Sequence, residues 1–143
     1  MMVTIREVTD ALVEKSGDAR LRAESVTEGI MEHGATREVI KATAHSHREW
    51  HKYRKMYLAI CDLIIPEHLK DYSDGSGLLR TLIQSEINRK KEVPQNREAW
   101  MATAWQRYEI LQDIDDREKD LQLYDDILDF IRKLEKKAEH KEQ

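Results

Sequence analysis

The sequence predicts an all-α fold, an elongated antiparallel bundle of four to six helices with two long ones at about 36–64 and 97–140. Three observations point there. Gly (5) and Pro (2) are scarce in 143 residues, and charged residues make up 36% of the chain, a composition rich in good helix formers. Apolar residues recur at spacings of three and four, and no strand-like alternation runs beyond a few residues. Two stretches, 35–65 and 97–143, hold no Gly or Pro at all.

The length fits a single helical domain, 1–143. A hydrophobic share of 40% with a mean hydropathy of −0.75 suits slender, exposed helices better than a thick core. The net charge of −4 names no partner by itself. One cysteine, Cys61, excludes an intramolecular disulfide and a Cys-rich zinc site. Its apolar neighbours predict a buried, reduced thiol. The start "MMVTIREVTD" has no basic n-region followed by an apolar run, so no secretory signal is expected. No run approaches a membrane span, and a cytoplasmic protein without membrane contact is the expectation.

Thr4 followed by Glu7 makes a capping-box pattern. Ile5, Val8 and Leu12 carry the first helix, which Gly17 can stop. A second helix is expected from Asp18 to His33 with Leu21, Val26 and Ile30 on its apolar face and Gly34 as its stop. Thr36 caps a third helix of about 29 residues, roughly 43 Å long, ended by Pro66. Residues 66–77, including "YSDGSG", read as an internal loop. Leu78, Leu79, Leu82, Ile83 and Ile87 define the next helix, ended before Pro94. Asn96 can cap the last segment, which is either one helix or two joined near "DIDDREKD". The charged end, 136–143, is expected to fray.

The stretch "HSHREWHKYRK", His45 to Lys55, gathers histidines, cations and aromatics. On a helix it splits into two faces. Val39, Thr43, Ser46, Trp50, Tyr53, Tyr57, Ile60 and Ile64 follow a 4-3-4-3 seam. Arg37, Lys41, Arg48, Lys52 and Lys55 stand on the opposite side. Six Lys/Arg and two Glu between Arg37 and Lys55 leave a local charge of +4. Because the aromatics point away from most of the cations, base stacking beside cations is disfavoured. The basic face suits phosphates, an acidic protein surface, the chain's own acidic tail, or plain solvent.

The tail is the complement. Leu111 to Asp129 holds eight acids and two bases, a local charge of −6, with Asp115, Glu118, Asp125, Asp126 and Asp129 on one helix face. Leu121, Leu123, Tyr124, Ile127, Leu128, Phe130, Ile131 and Leu134 form a broad apolar band. Such a band is normally covered on more than one side. Within it Leu121, Tyr124, Leu128 and Ile131, together with Trp50, Tyr53 and Tyr57, belong either to the core or to an oligomer interface.

Signals for chemistry are weaker. His47 and His51 have legitimate metal-ligand spacing, but Glu49 does not follow the first His directly, so this is no zincin motif. A third ligand would come from His33 or His68. Neither a metal nor a cofactor is expected. "YSDGSGLLRT" opens onto a helix N-terminus near Arg80, where a phosphate can sit, but it lacks the ending of a Walker A loop. "TREVIKATAHSHREWHKYRK" can be cut into a helix-turn-helix, though its turn has no clear breaker. No nucleophile motif is present.

The expectation is a non-enzymatic helical interaction protein that self-associates and binds a macromolecular partner, as an assembly factor or an inhibitor of another complex does. The alternative is a nucleic-acid-binding protein using the basic face 37–55. A third reading is a small helical enzyme or ligand-binding bundle with polar groups converging near His47, His51 or Arg80.

Overall fold

A computed structural model describes residues 3–91 and 104–142. Among the described residues the chain forms four α-helices, one 3₁₀ turn and no strand. The fold is all-α, with a helix count at the lower end of the expected range. The helices are α1 (Ile5–His33), α2 (Arg37–Asp62), α3 (Gly75–Lys91) and α4 (Ala104–Glu142), with the 3₁₀ turn at Glu67–Leu69. The described residues fall into two compact units, 3–73 and 74–142 without the stretch 92–103.

In the first unit α1 and α2 form an antiparallel hairpin. Thr4 caps α1 by accepting from the Glu7 N–H at 3.0 Å, and Thr36 caps α2 by accepting from the Val39 N–H at 3.3 Å. Each satisfies a backbone donor that the first helical turn leaves open. Gly34 closes α1 at φ 82° and donates its N–H to Ile30 O, a conformation that suits glycine.

Gly17 does not stop the helix. α1 is a single 29-residue helix where two were expected. The reason is phase: Val8, Leu12, Ala19 and Ala23 lie on one face at 100° per residue, and all four are buried. A glycine costs about 1 kcal/mol in a helix, less than the packing on its two sides returns. The inner face is set by these small alanines. Leu21 points the other way and is 65% exposed.

The α2 seam is largely as the spacing predicts. Ser46 and Ile60 are buried, and Val39, Thr43, Trp50, Tyr53 and Tyr57 are half-buried. Thr43 satisfies its hydroxyl by donating to Val39 O at 2.8 Å. Two positions differ. Met56, outside the predicted seam, is buried to 1% exposure, and Ile64 is fully exposed. The helix ends at Asp62, with Leu63 already extended at ψ 125°, so Ile64 has left the helical phase before Pro66. Cys61 is exposed, not buried: it is next to last in α2, on the flank of the seam. Its thiol, one turn on from Tyr57, raises the Tyr57 phenol above its usual range.

In the second unit α3 and α4 run antiparallel, with Lys90 Nζ 3.0 Å from Asp120 Oδ2 near one end and Ser76 bonded to Glu135 near the other. Their buried residues are Leu79, Ile83, Ile87, Ile127, Leu128 and Ile131. The loop expected over 66–77 is shorter, because Gly75, Ser76 and Gly77 make the first turn of α3. Asp74 O accepts from the N–H groups of Gly77 and Leu78, which winds these residues into the helix. No break occurs at "DIDDREKD". That segment is stapled by pairs one turn apart, Asp113 with Arg117 at 2.8 Å and Asp115 with Lys119 at 2.9 Å, each with the acid nearer the N-terminus as the helix dipole favours. α4 is helical as far as Glu142. Its charged end is made of strong helix formers, and lysines suit a helix C-terminus. Pro94, Asn96 and the expected start at 97 lie outside the described residues, as does Gln143.

Candidate interaction face of α2

The hairpin turns the seam of α2 toward α1 and its basic stripe outward. Arg37, Lys41, Arg48, Lys52 and Lys55 are all exposed, and among the described residues none of the five is in an ion pair. The acid nearest in sequence to Arg48 is spent elsewhere: Glu49 Oε2 takes Arg22 Nη2 of α1 at 2.9 Å, and Glu49 Oε1 takes His45 Nε2 at 3.2 Å. The stripe spans about 27 Å at 1.5 Å per residue.

The aromatic side of "HSHREWHKYRK" is occupied. The His51 ring stacks on Trp50 at 5.0 Å between centroids, and the Arg20 guanidinium of α1 sits 5.8 Å from the Trp50 ring centre, within cation–π range. His47 tilts against Trp50 at 6.0 Å. A groove of about 420 Å³ beside them is lined by Arg20, Ala23, Glu24, Thr27, Glu28, His47 and Trp50. Among the described residues no three His, Cys, Asp or Glu side chains come together as a metal site would require. The side chain of His33 lies outside the described residues. The uncut helix through "AHS" removes the helix-turn-helix reading.

The acidic face of α4 is partly neutralised by its own helix. Asp115 pairs with Lys119, raising the lysine's pKa, and Asp129 pairs with Lys133 at 3.0 Å. Asp126 accepts from Gln122 at 3.0 Å. Glu118 and Asp125 are exposed. The apolar band of α4 is covered: Ile127, Leu128 and Ile131 are buried, and Leu121, Leu123, Tyr124, Phe130 and Leu134 are half-buried. Burial pushes the Tyr124 phenol up, with Glu86 and Asp120 adding to it.

The other polar cluster is at the start of α3. Ser76, 2% exposed, donates to Glu135 Oε2 at 3.0 Å, and Arg80 Nη2 donates to the same oxygen at 3.2 Å. Arg80 Nε lies 3.0 Å from Glu135 Oε1 but makes no hydrogen bond there. An open groove of about 780 Å³ adjoins it, where Arg80, Arg132, Lys133 and Lys136 face Asp74, Asp129, Glu135 and Glu139. Four cations meet four carboxylates there, so the lining has no net charge. Glu135 carried no signal in the sequence, because its partners are 55 and 59 residues away.

Among the described residues, fold and surface together define an all-α protein of two antiparallel helix pairs with a basic helix face in no ion pair. No helix of the described residues is long and apolar enough to cross a membrane. No family model, curated protein or solved structure matches the chain.

Proposed function

We propose that the chain is a non-enzymatic helical interaction protein whose working surface is the outer face of α2, which takes an acidic macromolecular partner. The observation that carries this reading is the set Arg37, Lys41, Arg48, Lys52 and Lys55, exposed on one face and in no ion pair among the described residues. Charges left free on one face steer encounter and choose partners more than they add affinity. Catalysis has less support, since the best-formed polar cluster spends its carboxylate on Ser76 and Arg80. Self-association loses its first argument, because the band 121–134 has no exposed large apolar side chain.

Nucleic acid is the second reading, since the same stripe suits phosphates. One titration tests the shared premise. Fluorescent polyglutamate and a duplex oligonucleotide are titrated with wild type and with Arg48→Glu/Lys52→Glu at low and physiological salt. Binding of a polyanion by wild type, weakened about tenfold or more by the reversal, supports the basic face. If duplex binds, the reversal lowers the salt slope by about 2 as well. No polyanion binding at low salt removes the proposal.

A further inference from the structure

Beside the cations α2 carries a second, uncovered row. Ile40, Ala44, His47, His51 and Leu58 share one side of the helix, between the seam that packs on α1 and the basic stripe. Ile40 is 52% and Leu58 47% exposed. Ala44 and His51 are exposed and His47 is half-buried. With the exposed Arg54 included, these positions alternate in steps of four and three, the spacing of a heptad seam, with Ile40 and Leu58 as its two large apolar side chains. Lys41, Arg48 and Lys55 each follow a seam position directly. In heptad terms they stand at a flanking position, the place where charge selects the partner helix.

We infer that α2 docks an acidic amphipathic helix of another protein, with apolar residues on Ile40 and Leu58 and carboxylates facing Lys41, Arg48 and Lys55. This rests on the proposed role of the basic face and names its occupant. The seam from Ile40 to Leu58 is about 27 Å long, some five helical turns. Burial of the two large apolar side chains supplies attraction that salt does not screen, and the cations set register and sign. Duplex nucleic acid fits less well. It gains nothing from Ile40 or Leu58, and a chain of net charge −4 and pI 5.9 lacks the overall basic character of a phosphate-binding domain. A second copy fits less well too. The exposed acids Glu118 and Asp125 of α4 have no exposed apolar row beside them, since the apolar band of 121–134 is buried or half-buried.

The test uses the full chain and three labelled probes at low and physiological salt. The first is a synthetic peptide of about three heptads with Leu on its seam and Glu flanking it. The second is the same composition scrambled, and the third a duplex oligonucleotide. The expected result is a preference of about tenfold or more for the heptad peptide. Ile40→Ser/Leu58→Ser abolishes that preference, and Arg48→Glu/Lys52→Glu weakens both peptides. All four substitutions lie on the exposed side of α2, and circular dichroism confirms that the variants fold. Equal binding of the two peptides, tighter binding of the duplex, or a concentration-dependent dimer lost on charge reversal each overturns the acidic helix as occupant while leaving the basic face in use. No binding of any probe, with the protein monomeric, overturns the basic face as well.

Discussion

Ser76 Oγ donates to Glu135 Oε2 at 3.0 Å, fastening the first turn of α3 to α4 across 59 residues of sequence. Ser76 is buried, and Arg80 shares the same carboxylate oxygen. Glu135→Ala strands a buried hydroxyl and leaves Arg80 without its counter-charge. The expected cost is about 1–3 kcal/mol, that of leaving buried polar groups unsatisfied, read as a lower urea midpoint. Ser76→Ala removes a single bond and costs less, about 1 kcal/mol.

Arg6 reaches from the first turn of α1 to the segment after α2. Its Nε is 2.8 Å from Asp71 Oδ1 and its Nη2 2.9 Å from Glu67 Oε1, and its backbone N–H donates to Lys70 O at 3.0 Å. The guanidinium is held well above its ordinary pKa, chiefly by Asp71. The bonds from Arg6 and then Lys70 hold the Glu67 carboxyl below the usual carboxylate range. A carboxyl lowered by folding adds stability above its unfolded pKa and loses it as pH falls through the folded value. Arg6→Gln is expected to move the Glu67 titration midpoint upward, followed by NMR of the side-chain carboxyl, and to flatten the acid limb of the stability curve. The pair is exposed, so the change in stability at neutral pH is small.

Gly17 and Gly34 separate cleanly by substitution. A Cβ at Gly17 meets nothing within 4 Å in a helix interior, whereas Gly34 has φ 82°. Gly17→Ala is expected to stabilise by about 0.5–1 kcal/mol, since alanine has less chain freedom to lose. Gly34→Ala is expected to destabilise by about 1 kcal/mol, the strain of a side chain at positive φ. Thermal melts moving in opposite directions check both. A fall in stability for Gly17→Ala contradicts an uninterrupted α1.

Met56 and Leu21 invert what hydrophobicity alone suggests. Met56 is 1% exposed and Leu21 65%. Met56→Ala is expected to cost about 2–4 kcal/mol through lost burial and a residual cavity, and Leu21→Ala to change stability by less than about 0.5 kcal/mol. Chemical denaturation of the two variants side by side checks this.

By itself the sequence determined the helical class, the caps at Thr4 and Thr36, the cap glycine at Gly34, most of the α2 seam and the basic stripe opposite it. All of these are local: a cap bonds within three residues, and a helix face repeats every few. Tertiary structure decided what depends on distant neighbours. Whether Gly17 breaks or continues α1 turned on Ala19 and Ala23 lying in phase with Val8 and Leu12, small residues that a hydrophobicity pattern underweights. Met56, Cys61 and Ile64 were misplaced because the edge of a buried face, and the point where a helix stops, are set by the opposing helix and the following chain. The Ser76–Arg80–Glu135 cluster was invisible for the same reason. The basic stripe needed both levels. Spacing placed its five cations on one face, but only the folded hairpin left them exposed and spent Glu49 on Arg22 and His45 instead.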